Sequence, residues 1–314
     1  MSSTPNTKAD LQHAQPKRSR RALWAGLALL AALGTWLFLG WLTVAVATAP
    51  LRRTVVPHAE LDGVALEEVE TTTADGLLVR GWFGVQPGRR VVLLFAGKGG
   101  DRAPNLGKAK YYLQRGWSVL MPALRATGDS AGERVGMGYA ERLDVRAWVA
   151  FAKQRGFADI ALHGQSLGAA AVVYSFEPGC DKYSFIVLES CYDDVRHALV
   201  NRLSFVPLPG LSLKPVEWFG ASALGVPLDE LRPVDRLPSA SFPLLMIAGD
   251  ADPHALPSET QLLFDSSGAV TRQLSWIEGG VHEDLWSHDA ASYTAALGRF
   301  FTELDAIAAA KGQW

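Results

Sequence analysis

The stretch Ile160-Ala161-Leu162-His163-Gly164-Gln165-Ser166-Leu167-Gly168-Ala169-Ala170-Ala171-Val172-Val173-Tyr174 decides how the rest of this 314-residue chain is read. Its first four residues are an apolar run of strand type, and its last six an apolar run of helix type. Between them stands Gly-x-Ser-x-Gly, the pattern of a serine presented on a sharp strand-to-helix turn. The spacing has a steric cause. On so tight a turn, side chains two residues either side of the serine would strike the neighbouring strand and helix, and glycine has no Cβ to do so. The bland alternative is a Gly-rich turn with an incidental serine. The two readings part on whether the chain also supplies a base, an acid and donors for an oxyanion.

Working outward, strand-like and helix-like segments alternate. Ala65 to Thr73 and Leu77 to Val85 form a hairpin around Ala74-Asp75-Gly76. Arg90 to Ala96 is a continuous apolar run, as expected of a strand buried on both faces. Gly97-Lys98-Gly99-Gly100 follows, then a helix-like stretch to Arg115, a strand from Trp117 to Met121 and an amphipathic helix from Tyr139 to Gln154. Beyond the serine, Phe185 to Leu188, Leu244 to Ala248 and Arg272 to Ile277 read as strands, and Ala290 to Ala309 as a closing helix. This order implies a mainly parallel sheet with helices on both faces. Residues 195–241 break the alternation and are rich in Pro, Leu, Phe and Trp, which predicts a cap-like insertion over the active-site end.

The constellation follows from the strand ends. Of seven histidines, His282 stands after a strand in Gly279-Gly280-Val281-His282, just before the final helical segment. A neutral histidine is the usual base for a serine, because its pKa lies near working pH. His163 lies in the strand beneath the serine, where a core role is expected. For the acid, Leu244 to Ala248 runs into Gly249-Asp250-Ala251-Asp252. The order Ser166, Asp252, His282 is that of the strand-turn-helix serine enzymes; Asp250 is the runner-up, as a loop brace, and Glu189 a third choice. One oxyanion donor is the Leu167 N–H at a helix N-terminus. The other is expected from the glycine-rich loop at Lys98 or Gly99.

These segments, with Arg125-Ala126-Thr127-Gly128-Asp129-Ser130-Ala131-Gly132, resemble the α/β-hydrolase superfamily from about Val64 to the C-terminus, and most nearly its membrane-anchored and serine-aminopeptidase-like members. The resemblance implies an eight-stranded, mainly parallel sheet in an α/β fold. It also selects Asp252 over Asp250, since the family acid stands three residues after the glycine ending its strand. It further implies a serine hydrolase for carboxylic esters, lipids or thioesters; of the two loop candidates, Lys98 is the expected second oxyanion donor. Two departures occur. Ala96 stands where the family often has histidine, and Ala126 where it has glycine.

Composition bounds the rest. Hydrophobic residues make up 48%, enough for a sizeable core, and a net charge of -2 gives no reason to expect a nucleic-acid partner. Residues 1–21 read as a disordered tail carrying Lys8, Lys17, Arg18, Arg20 and Arg21. Residues 22–49 hold no charge and exceed the roughly 20 residues that cross a bilayer as a helix. Ala47-Thr48-Ala49 resembles a cleavage site, but the apolar run is too long for a signal peptide. A retained anchor is therefore expected. The basic tail would be cytoplasmic and residues 64–314 would lie outside the cytoplasm, in the periplasm of a two-membrane bacterium, after a linker at 50–63. Cys180 and Cys191 flank a predicted strand too long for a disulfide, so free thiols are expected.

Other readings fail on spacing. Gly97-Lys98-Gly99-Gly100-Asp101-Arg102 fits neither a phosphate loop nor a dinucleotide turn, and Trp286 replaces the second ligand in His282-Glu283-Asp284-Leu285-Trp286. Asp193-Asp194 reads as a solvated helix start. No metal or cofactor is called for, and the expected substrate is a small-molecule or lipid-like acyl compound. A tethered binding protein without turnover and an acyltransferase using the same three residues are the alternatives.

Overall fold

Side chains alternate across a pleated strand, and the strands between residues 90 and 249 are apolar at both parities, so both sheet faces need cover. The computed structural model describes residues 18–177, 182–203 and 213–310 and shows how that cover is arranged. The chain opens with α1 (Arg18–Thr48), β1 (Leu51–Arg52), β2 (Glu60–Leu61), β3 (Val64–Thr72), β4 (Leu78–Gly84) and β5 (Arg90–Phe95). Then come α2 (Leu106–Leu113), β6 (Ser118–Pro122), β7 (Thr127–Gly128), α3 (Arg142–Gln154), β8 (Asp159–Gln165), α4 (Leu167–Ser175) and β9 (Ile186–Glu189). Helices α5 (Val195–Arg202) and α6 (Lys214–Leu224) and three short 3-10 turns lead to β10 (Leu244–Gly249), α7 (Pro257–Ser266), β11 (Arg272–Ile277), α8 (Leu285–His288) and α9 (Ala290–Ala310).

The main sheet runs β11-β10-β9-β8-β5-β6-β4-β3-β2. The pairs from β11 to β6 are parallel, and β4, β3 and β2 add antiparallel edges. It therefore has nine strands where eight were expected. The extra one, β2, has two residues, too few for any periodic signal. On one face Val91, Leu93, Phe95 and Leu188 pack with Trp148 of α3 and Ala170 of α4. On the other, Val92, Leu94, Val187 and Ile247 pack with Tyr112 of α2 and Leu297 and Phe300 of α9. Each such burial contributes about 1.5–3 kcal/mol. The parallel strands thus share one C-terminal edge, where loops from β5, β8, β10 and β11 converge.

Helix α1 is long and apolar enough, over Arg20–Thr48, to cross a membrane by length and composition. It starts at Arg18, so the last residues of the stretch read as a tail are its first turn. Most of its large side chains are exposed, among them Trp24, Leu30, Phe38 and Trp41. One face of its last turns is covered. Trp36 meets Trp218 of α6 edge-on at 5.9 Å between ring centroids. Gly40 lies so close to α6 that a Cβ there would sit 2.2 Å from Pro215 Cβ. Val44 and Thr48 are buried. The Thr48 carbonyl accepts from Val135 N at 2.9 Å, and the Ala47 carbonyl from Lys98 Nζ at 2.6 Å.

The stretch 50–63, read as a linker, is also docked at its start. Strand β1 pairs in parallel with β7, Leu51 N donates to Ala126 O at 2.7 Å, and Arg52 Nη2 donates to Gly132 O at 2.7 Å. Ala126, one of the two family departures, holds φ 57, a left-handed conformation that glycine would adopt without strain. A chain that starts at residue 54 would lose these hydrogen bonds, worth about 1 kcal/mol each, and the packing of Val44. Its melting midpoint in detergent is expected to fall by about 5 °C or more below that of the full chain. Equal midpoints would show that the docking contributes nothing.

Among the described residues of the stretch 195–241, expected as an insertion, are α5, α6 and the 3-10 turns, and α5 and α6 line a cavity together with Ser166. The start of the stretch corrects one expectation: Asp193 and Asp194 are 1% and 3% exposed rather than solvated. Asp194 caps α5 through Arg196 N and pairs with Arg232, while Asp193 holds His197 Nδ1 at 2.8 Å. The insertion supplies partners that a two-residue pattern cannot reveal. Cys191 is a buried free thiol, and Cys180 lies outside the described residues.

Candidate active site

Ser166 sits between the last residue of β8 and the first of α4, with φ 48 and ψ -110. A non-glycine residue there stores about 1–3 kcal/mol of strain. The two glycines that bracket it are sterically required. A Cβ on Gly164 would lie 2.5 Å from the Gly168 carbonyl oxygen, and one on Gly168 would lie 2.3 Å from the Phe95 carbonyl oxygen. The turn is held by Ser166 N donating to Glu189 O at 2.8 Å and Ala170 N to Ser166 O at 3.0 Å.

The structure brings Ser166, His282 and Asp252 together in one line. Ser166 Oγ is 2.8 Å from His282 Nε2, and His282 Nδ1 is 2.8 Å from Asp252 Oδ2. Asp252 is 1% exposed, and its Oδ1 accepts from His254 N at 2.8 Å and Ala255 N at 2.9 Å. Burial opposes its charge, but His282 and these N–H donors outweigh it and hold the carboxyl below the usual carboxylate range. An ionised Asp252 accepts the hydrogen bond from Nδ1–H, which leaves Nε2 as the acceptor facing Ser166. Asp250 lies off this line and accepts from Gly279 N at 2.7 Å, bracing the histidine loop.

Gly97 borders the serine, since a Cβ there would be 3.4 Å from Ser166 Cβ. That places the Lys98 backbone beside the turn. Among the described residues, neither Leu167 N–H nor Lys98 N–H has a hydrogen-bond acceptor. Two donors left open beside a hydroxyl suit a developing negative charge.

Glu189 is not on the histidine. It is fully buried and pairs with Lys108 Nζ at 2.7 Å, while Lys108 also reaches Asp284 at 3.0 Å. Glu189 further accepts from Leu285 N at 3.1 Å and Tyr293 Oη at 2.7 Å. His163 bridges Tyr112 and Tyr293 at 3.0 and 2.8 Å, the core role expected of it. Burial works against the Glu189 charge, yet Lys108 prevails and holds the carboxyl at about 2 instead of 4.5. The Arg125 bond holds Asp75 at about 2 as well. Both carboxyls are depressed in the fold, so their stabilisation is present above the unfolded values and is lost as pH falls through the folded ones. Unfolding midpoints in urea are expected to decline from about pH 4.5 toward pH 2, more shallowly in Glu189→Gln. A flat profile over that range would contradict the pairing.

One residue that sequence reasoning missed is Arg202, at the end of α5. Its Nη2 is 3.3 Å from His282 Nε2, and its Nη1 donates to Ala198 O at 2.8 Å. Among the described residues, neither Arg202 nor Lys98 forms an ion pair. Burial, and then the neighbouring Arg202 charge, push the Lys98 ammonium below its usual range. A lone arginine in an apolar insertion carries no spacing signal. Two cavities meet at Ser166, Lys98 and Arg202. One, of about 150 Å³, is apolar and includes Val44, Ala47, Leu167, Val216 and Leu224. The other, of about 370 Å³, has a mixed lining in which Gln165, Ser190, His254 and Glu283 stand beside Gly97 and Pro104.

Among solved structures, the chain superposes on the Pyrococcus furiosus esterase Pf2001 with a TM-score of 0.67, at 19% identity, covering 81% of this chain and 98% of that one. The chain has the α/β-hydrolase fold. The same hydrolase fold is shared with the α/β hydrolase GrgF from Penicillium sp. sh18, at TM-score 0.57 and 20% identity, over 76% of this chain and 99% of that one. An esterase from Thermogutta terrifontis matches at TM-score 0.56 and 19% identity, over 76% and 99%. No protein-family model matches the chain. Among curated proteins, Rv2307c of Mycobacterium tuberculosis is 28% identical over 257 residues, 79% of this chain and 83% of that one. YqkD of Bacillus subtilis is 26% identical over 213 residues, 64% and 68%. Neither name states an activity.

Proposed function

We propose that the protein is a membrane-anchored serine hydrolase acting on carboxylic ester-type substrates. The observation that carries this reading is the continuous hydrogen-bonded line from Ser166 Oγ through His282 to Asp252, beside two open backbone donors. Ser166 Oγ attacks the ester carbonyl while His282 Nε2 takes its proton. Asp252 fixes the tautomer and stabilises the imidazolium that forms. The carbonyl oxygen, now negative, lies against Leu167 N–H and Lys98 N–H. His282 returns the proton to the leaving alcohol, an acyl-serine remains, and water attacks it by the same steps in reverse. No step calls for a cofactor. That Pf2001 and the Thermogutta protein are named esterases supports the substrate class.

The anchor is α1, whose apolar length suffices for a bilayer. The basic residues before it favour a cytoplasmic N-terminus and a catalytic domain on the other side. The test of the chemistry is direct. The full chain in detergent, treated with a fluorophosphonate, is expected to gain one phosphonyl adduct on Ser166, seen in the tryptic peptide that contains it. A folded protein that stays unlabelled would overturn the reading.

A further inference from the structure

The helix that reads as a membrane anchor is also a wall of the cavity at Ser166. Thr43, Val44, Ala47 and Thr48 line one side of the apolar cavity, Val216 and Leu224 of α6 line another, and Ser166 and Leu167 close its inner end. We propose that α1 is part of the substrate site. Its last turns and α6 hold the acyl chain of a lipid ester taken from the bilayer, with the leaving alcohol turned into the larger cavity of mixed lining. The proposal rests on the hydrolase reading above and names its substrate class.

Three observations support it. The first is chemistry. The two cavities meet at the serine but differ in lining, so the site is almost wholly apolar on one side of the reacting carbonyl and mixed, with His254, Gln165 and Glu283, on the other. An amphiphilic ester matches that division, and a small polar ester does not. The second is size. An apolar cavity of about 150 Å³ accommodates a guest the size of benzene, about six carbon atoms. It therefore takes the carbonyl end of an acyl chain, and the remainder must continue between the helices.

The third is depth. From Ala22, the roughly 20 residues that cross the hydrocarbon end near Trp41. Thr43 to Thr48 then lie about 3–10 Å farther out at 1.5 Å per residue. Trp41 stands at that boundary, where indole side chains prefer to sit, and Trp36, about 7.5 Å deeper, meets the exposed Trp218 of α6. The cavity mouth is thus at the height of lipid carbonyls. Lys98 fixes the arrangement by donating from the oxyanion loop to the Ala47 carbonyl of α1. Gly40 gives the close approach of α1 and α6 that shapes the wall.

The test uses the full chain in detergent micelles and an alkyl fluorophosphonate whose eight-carbon chain ends in a diazirine. After the probe has reacted with Ser166, illumination is expected to crosslink it to the tryptic peptide spanning 22–52, which contains no internal lysine or arginine. A phosphonyl adduct on Ser166 with crosslinks confined to other peptides would overturn this inference and leave the hydrolase reading standing. A folded protein with no adduct would overturn both. A second measurement compares kcat/KM for p-nitrophenyl octanoate and acetate. The octanoate-to-acetate ratio is expected to exceed about tenfold in the wild type. It should fall by about tenfold in Val44→Trp, which fills the cavity. A ratio near one in the wild type, or a ratio unmoved by Val44→Trp, would overturn the inference.

Discussion

Ser166→Ala and His282→Ala are each expected to lower kcat on a simple ester by about 10⁶-fold, and Asp252→Asn by about 10⁴-fold. Asp250→Asn should remain within about tenfold of wild type. The ranking follows from which atoms each residue touches. Ser166 and His282 handle the reacting atoms, and the three act as a unit, so losing one of them removes most of what all three provide. Asp252 acts through His282 Nδ1 at 2.8 Å. Asparagine there can present an amide donor to that nitrogen and favour the wrong tautomer, leaving the fold intact. Asp250 touches only Gly279 N, and an asparagine carbonyl can accept the same bond. Circular dichroism of each variant separates chemical loss from unfolding. Equal losses at 250 and 252, or a larger loss at 250, would reassign the acid.

The second large effect is on stability. Lys108→Met should cost about 3–5 kcal/mol, because it strands the Glu189 carboxylate in a fully buried setting. Glu189→Gln leaves the reverse problem on Lys108, relieved in part by Asp284 at 3.0 Å. The double variant Lys108→Met/Glu189→Gln is expected to cost less than the sum of the two, since no lone charge remains. Urea unfolding of all four proteins measures the coupling. Strict additivity would show that the pair does not interact. Lys108→Met should also slow turnover, since Asp284 stands two residues from His282 and Leu285 N rests on Glu189.

Much of this architecture was legible before any coordinates. Buried parallel strands declare themselves as apolar runs, and the glycines around Ser166 declare a turn that no Cβ could enter. Between Asp250 and Asp252 the residues alone left the choice open, and the family resemblance favoured Asp252, which the structure places at 2.8 Å from His282 Nδ1. What escaped notice has a common cause: it depends on partners distant in the chain. Strand β2 exists only because β3 is beside it. Arg202 reaches His282 across 80 residues, and Asp193 and Asp194 are buried by groups from later turns. The proposed role of α1 has little signal of its own, because its length and apolarity already suit a membrane span. One signal was present. Gly40, Thr43, Ala47 and Thr48 put small residues on one side of a helix otherwise built from Leu, Trp and Phe, as helices that pack closely against a neighbour do.

That packing also governs mechanics. Three turns of α1 lie against α6, and β1 clamps the chain three residues after the helix ends. There is no slack between span and body, so the body moves with the helix as a rod does with its handle. A helix longer than the hydrocarbon is wide responds by tilting. If α1 crosses a bilayer, a thinner membrane would lean the whole body over and change the angle at which Ser166 faces the lipid surface. Bilayer thickness would then tune turnover with neither the substrate nor a residue of the site altered.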